Sequence, residues 1–211
     1  MKTTHYLSLC LLTGAQAIAA PSDALIERYN QAAQGDKDKV DIVYNQLQNQ
    51  IEHQGSDALT LVYLGSTQTL MGRDAFLPWN KMKHVEQGLG TIAKGLGLLS
   101  DKTTPLPLQE IRQGLPEAVL AKAIAANTYT SLPDMFNHFE RGYDLYMDLL
   151  SDVDFIAQPF DAISWVFIYA IQAAIRAEDP KQAQLWANQM AAINPSHPMT
   201  LQALAMANNA A

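Results

Sequence analysis

From residue 22 onward the apolar residues of this chain recur at intervals of three and four. No stretch alternates with period two over the length of a strand, so the pattern predicts helices throughout. A first helix over residues 23–33 shows Leu25, Ile26, Tyr29 and Ala33 on one side, with Ser22 or Asp23 as its cap and Gly35 as its stop. Asp36 opens a second, whose inner face is Val40, Val43, Tyr44, Leu47 and Ile51, and Gly55 ends it. Ser56 caps a third, with Leu59, Val62, Tyr63, Ser66 and Leu70, which runs to a stop at Gly72. Residues 73–77 form a connector, and Pro78 stands where the first turn of a helix tolerates it.

The strongest periodic signal follows: Met82, Val85, Leu89, Ile92, Leu96 and Leu99. Gly88, Gly90, Gly95 and Gly97 sit inside the same predicted helix. Four interior glycines cost about 4 kcal/mol relative to alanine, which points to an offsetting gain from close backbone approach. Gly88 and Gly95 lie beside the Leu89–Leu96 seam, where a partner helix would press.

Residues 101–115, with Pro105 and Pro107, read as an irregular linker between an N-terminal half (22–100) and a C-terminal half (116–211). Pro116 opens a fifth helix rich in alanine. Pro133 and Asp134 open a sixth, with Met135, Phe136, Phe139, Tyr143, Tyr146, Met147 and Leu150 on its face. Asp161 caps a seventh that is apolar nearly all round from Ile163 to Ile175, the mark of a helix buried on most sides. An eighth spans residues 180–193, and the tail from Ser196 reads as a capping or docking helix, giving about eight or nine in all. The fold class is all-α, built of antiparallel helical hairpins.

The last hairpin resembles a tetratricopeptide repeat over residues 164–197. Phe167, Ala170 and Ala174 fall on the first-helix signature positions, Ala183 on the second-helix small position, and Asn194-Pro195 on the repeat ending. It departs at Ala187, where a large aromatic is expected, and at Glu178, where the turn glycine is expected. The hairpin over 36–72 is similar more weakly, through Tyr63-Leu64-Gly65. The whole chain resembles uncharacterised secreted tetratricopeptide-like proteins of Gram-negative bacteria. That resemblance implies a right-handed superhelical scaffold with a concave binding face, and no defined chemistry.

The N-terminus changes the picture. Lys2, the apolar run from Tyr6 to Leu12, and Ala17-Ile18-Ala19 read as a signal peptide cleaved after Ala19, leaving one domain over 20–211 in the periplasm or outside the cell. The run is too short for a membrane span. Retention of the leader as a tether, or lipidation at Cys10, stands as an alternative, though Leu9 precedes Cys10 where a small residue is wanted. Cys10 is the only cysteine, so the mature chain has no thiol chemistry and no disulfide. Without Lys2 it carries 13 basic and 21 acidic residues, a net −8, which disfavours nucleic acid.

Chemical motifs are sparse. Gly88 to Ala93 fits G-x-G-x-x-A, but a helix rather than a strand precedes it. Gly90 to Gly95 has phosphate-loop spacing, but Leu96 replaces the lysine. His84 and Glu86, like His138 and Glu140, are two apart and point to different sides of a helix. Asp144 and Asp148 share a face that reads as solvated. No metal, cofactor or catalytic residue is assigned.

Charge is distributed unevenly. Residues 73–102 carry net +2 and residues 134–161 net −6. Two accounts stand: the segments pair inside the domain, or they frame a groove. On the second, Arg73, Trp79, Lys81, Lys83 and His84 bind an acidic or carboxylate-bearing partner, since Trp and Arg concentrate interface energy. Trp79 also lies three residues before Met82 on the apolar seam, which leaves a core position open for it. The expected function is a non-catalytic scaffold for another envelope protein or peptide. The alternative is a small-molecule or lipid carrier, or an enzyme, with a pocket among Tyr63, Trp79 and the seventh helix, where Trp165 and Tyr169 need polar partners.

Overall fold

The computed structural model describes residues 20–100 and 105–210; the leader, Cys10, Asp101 and Lys102 lie outside them. Ten α-helices lie among the described residues: α1 (Asp23–Ala33), α2 (Asp38–Gln54), α3 (Ala58–Asp74), α4 (Pro78–Ser100), α5 (Glu117–Ser131), α6 (Phe139–Ser151), α7 (Val153–Ile156), α8 (Phe160–Arg176), α9 (Pro180–Ile193) and α10 (Pro198–Ala210). Helices pair in sequence as α1–α2, α3–α4, α5–α6 and α8–α9, and α10 packs on both α8 and α9. The expected sixth helix is a 3-10 turn at Asp134–Phe136 followed by α6, and the single turn α7 precedes α8.

Several ends differ from the sequence expectation. Gly72 is no stop: α3 runs on to Asp74, and Gly72 packs against Val85 and the Lys81 carbonyl of α4. The cap of α3 is Asp57 rather than Ser56, its carboxylate accepting from the Thr60 N–H at 2.9 Å. Asp161 does not cap α8, which starts a residue earlier after Pro159; its carboxylate pairs with His197 Nε2 at 3.1 Å. Ser22 does cap α1, accepting from the Leu25 N–H.

The α3–α4 hairpin is the tightest contact in the molecule. A Cβ on Gly65 would stand 2.6 Å from the Gly88 carbonyl oxygen, and one on Gly95 would stand 2.9 Å from the Ala58 carbonyl oxygen. The expectation for Gly88 and Gly95 therefore holds, but it fails for Gly90 and Gly97, where a Cβ meets nothing within 4 Å. Helix α3 is the most enclosed element, with every residue from Ala58 to Thr69 buried. Its buried hydroxyls turn back on the chain: Thr67 donates to the Tyr63 carbonyl and Thr69 to the Ser66 carbonyl, both at 2.7 Å. Helix α8 is less enclosed than its apolar run suggests, because Trp165 is only partly buried and Tyr169 is exposed.

The linker is not wholly irregular. It holds a 3-10 turn (Leu106–Leu108) and a minimal antiparallel pair, β1 (Ile111–Arg112) with β2 (Leu115–Pro116). Gln113 and Gly114 between them both have positive φ, +51° and +79°, as a tight primed turn requires. In the last hairpin Phe167, Ala170, Ala174, Ala183 and Ala187 are buried. Glu178 takes φ +55°, the left-handed conformation that the expected glycine would supply.

Candidate functional site

Helices α1, α3, α5 and α8, with the start of α4, surround a cavity of about 1160 Å³. It is larger than the roughly 300–1,000 Å³ of an ordinary small-molecule pocket. Its apolar wall includes Ile26, Leu70, Met82, Val85, Leu120 and Ile124. Tyr29, Tyr63, Trp165, Tyr169 and Phe136 supply aromatic surface. Tyr29 meets Tyr63 edge to face at 4.9 Å, and Trp165 meets Tyr169 likewise at 6.1 Å. Set into this wall are four side-chain amides, Asn30, Gln34, Gln113 and Asn127. Each offers both a donor and an acceptor.

The two ends of the cavity are built differently. At one end the linker crosses it. Gln113 donates from both its backbone N–H (3.2 Å) and its side chain (3.0 Å) to the Asp23 carboxylate, and a Cβ on Gly114 would stand 2.9 Å from the Ala162 side chain. The strap thus ties the start of α1 to the start of α8. At the other end lie the C-terminal turns of α1, α3 and α5, lining the cavity with Gln34, Arg73 and Ser131, beside Pro78 and Lys81 of α4 and the Met135 loop.

Helix C-termini leave carbonyls without intrahelical partners, and two arginines take them up. Arg73 donates to the Ala32 and Ala33 carbonyls of α1 at 3.1 and 3.2 Å, and to Asp74 at 2.7 Å. Arg176, the last residue of α8, donates to the Thr130 carbonyl, to the Leu132 carbonyl at 3.0 Å and to Asp134. Its guanidinium also lies over the Phe139 ring at 4.7 Å.

Hydrogen bonding from the Arg73 guanidinium holds the Asp74 carboxyl below its ordinary range, against a smaller opposing effect of burial. Burial pushes the Tyr63 hydroxyl well up, and Tyr29 is raised for the same reason. The Tyr29 hydroxyl is held by Ser66 and Thr128, whose own oxygens lie 2.8 Å apart. These tyrosines are neutral donors and acceptors in the cavity floor, not proton carriers near neutral pH.

The five residues read from the sequence do not form one cluster. Arg73 and Lys81 line the cavity and touch each other, the Lys81 ammonium donating to the Arg73 carbonyl at 3.3 Å. Trp79 is 66% exposed and, like Lys83 and His84, is absent from the cavity wall. Of the alternative pocket, Tyr63, Trp165 and Tyr169 come together in the cavity and Trp79 does not. No ion pair among the described residues joins 73–102 to 134–161: Asp134 pairs with Arg176, Asp161 with His197, and Arg73 with Asp74. No group of three or more His, Cys, Asp or Glu side chains among them is placed to hold a metal ion. No helix among the described residues is long and apolar enough to cross a membrane.

No family model matches the chain, and no curated protein or solved structure is significantly similar to it.

Sequence reasoning missed Arg176 and the four amides. Arg176 carried a usable signal, a cation in the last turn of a helix with Asp134 in reach of the preceding hairpin's end. The amides carried none, because Asn and Gln on a helix face read as solvated surface.

Proposed function

We propose that this chain is a non-catalytic helical-repeat scaffold that binds an extended segment of another protein in the α1–α3–α5–α8 cavity. The observation that carries it is the set of amides at Asn30, Gln34, Gln113 and Asn127 among the aromatic and aliphatic residues of a wall that also holds Glu27, Arg73, Lys81 and Asp161. An extended peptide presents an unpaired N–H and C=O at every residue, and burying them unmatched costs about 1–3 kcal/mol each. Amide side chains pair with both, while Tyr169, Trp165 and Phe136 accept apolar side chains between them. The recurrence of one arginine–carbonyl device at Arg73 and Arg176 supports a tandem-hairpin, tetratricopeptide-like design. The residues of the leader support action in the periplasm or outside the cell.

The test is a photocrosslinking amino acid placed at Asn127 or Tyr169 in intact cells at native expression. The expected result is one discrete protein adduct from both positions and none from exposed positions on α2. Absence of any protein adduct from the cavity overturns the reading.

The enclosed aliphatic surface of Ile26, Leu70, Val85 and Leu120 favours a second reading, a carrier for an elongated apolar small molecule. Native mass spectrometry of protein purified from its host separates the two, because a carrier retains a non-peptide mass.

A further inference from the structure

Beside the α4 end of the cavity stands an exposed surface at the α3–α4 connector. The connector between α3 and α4 holds Phe76, which is 93% exposed, and one turn on stands Trp79 at 66%. On the neighbouring loop Met135 is 69% exposed and lines the same end of the cavity. Large apolar side chains held outward on adjacent loops of a chain with net charge −7 are costly to keep in water.

The charge on the α3–α4 side is mainly positive. Between residues 73 and 83 the cations are Arg73, Lys81 and Lys83, and the single carboxylate is Asp74. Asp74 is already neutralised, by Arg73 at 2.7 Å and with Lys37 at 4.0 Å. Lys81 and Lys83 are exposed and enter no ion pair among the described residues.

We propose that the tip of the α3–α4 hairpin docks on an anionic lipid surface, with Phe76 and Trp79 entering the headgroup region and Lys81 and Lys83 meeting lipid phosphates. Trp is the residue most suited to the membrane–water boundary, because its ring is apolar and its N–H is not. The tip is a connector of three residues between α3 and α4, short enough to enter a soft interface. Docking there would set the end of the cavity lined by Lys81 and Met135 against the membrane. The proposal does not depend on what the cavity holds.

The experiment uses the purified mature chain with sedimenting vesicles of phosphatidylcholine, alone or mixed with phosphatidylglycerol. Binding is expected to the mixed vesicles only, with a blue shift in emission that Trp79→Phe removes. Each cation near an anionic surface is worth about 1 kcal/mol, about fivefold in affinity, so Lys81→Gln with Lys83→Gln should weaken binding about 30-fold. Phe76→Ala with Trp79→Ala should abolish it while leaving far-ultraviolet circular dichroism unchanged, since both side chains are exposed. Equal binding to both vesicles, no binding to either, or binding indifferent to these pairs overturns the proposal. So does capture of a protein through Phe76 and Trp79 without vesicle binding.

Discussion

Arg73 and Arg176 do the same job one hairpin pair apart. Each ends or nearly ends its helix, each reaches the last carbonyls of the neighbouring helix (α1 or α5), and each pairs with one carboxylate. Replacing either by Met leaves two carbonyls without a charged donor. Charged hydrogen bonds are worth about 1.5–3 kcal/mol each when sheltered, and partial exposure here lowers the figure. The expected loss is about 1–2 kcal/mol for each variant, read as a lower urea midpoint at constant m-value. An unchanged midpoint for both would remove the device as a source of stability.

Asp74 makes one of these sites pH-dependent. Its folded pKa is depressed, chiefly by the Arg73 hydrogen bond. The stabilisation is therefore present above the unfolded carboxyl value, about 3.9, and is lost as pH falls through the folded value. Arg73→Met removes the main cause, so its stability should fall less steeply than wild type on acidification below about pH 4. Parallel curves for the two proteins would show that Arg73 does not hold the proton off Asp74.

The glycines of α3 and α4 make opposite predictions at adjacent places. Gly88→Ala puts a Cβ 2.5 Å from the Gly65 carbonyl oxygen, and overpacking of this kind costs about 1–3 kcal/mol. Gly90→Ala meets open space and should stabilise by about 0.5–1 kcal/mol through helix propensity alone. Thermal melts of the two variants should move in opposite directions.

Tyr143 donates to Asp179 at 3.3 Å, and its pKa is pushed up to about 12, by burial first and the Asp179 charge second. Asp179 also caps α9, accepting from the Gln182 N–H at 3.0 Å. Asp179→Asn keeps a good cap but removes the charge. The Tyr143 pKa should fall and still stay above the ordinary phenol value, because burial persists. Carbon-13 tyrosine labelling with a pH titration measures it.

Glu178 sits at φ +55°. A left-handed conformation costs a residue with a Cβ about 1–2 kcal/mol, so Glu178→Gly should stabilise by up to about 1 kcal/mol after the added chain entropy of glycine is counted. A destabilised variant would mean that the Glu178 side chain carries a contact worth more than the strain.

The all-α class and the hairpin pairing were legible because single helix faces repeat at three and four. The approach at Gly88 and Gly95 was legible for the same reason, since both lie beside the Leu89–Leu96 seam. Gly90 and Gly97 share the seven-residue spacing but sit about 200° around the helix from Gly88 and Gly95. The site was less legible because its parts come from helices far apart in sequence. Arg73 could be seen as a cation, but its targets Ala32 and Ala33 lie 41 and 40 residues earlier. Trp79 could be seen as an interface residue, but nothing local distinguished the cavity wall from the outer tip.

The strap formed by residues 111–116 bears on how the molecule comes apart. An open stack of hairpins, each touching only its neighbours, frays from its ends, and its melting spreads over separate steps. Here the start of α1 is bonded to Gln113, and Gly114 is wedged on Ala162 at the start of α8. The first hairpin peels away with loss of the Gln113–Asp23 contact, and the strap that this frees also covers Ala162 at the start of α8. Amide protons at the starts of α1 and α8 are therefore expected to exchange through a shared opening event, which native-state hydrogen exchange measures.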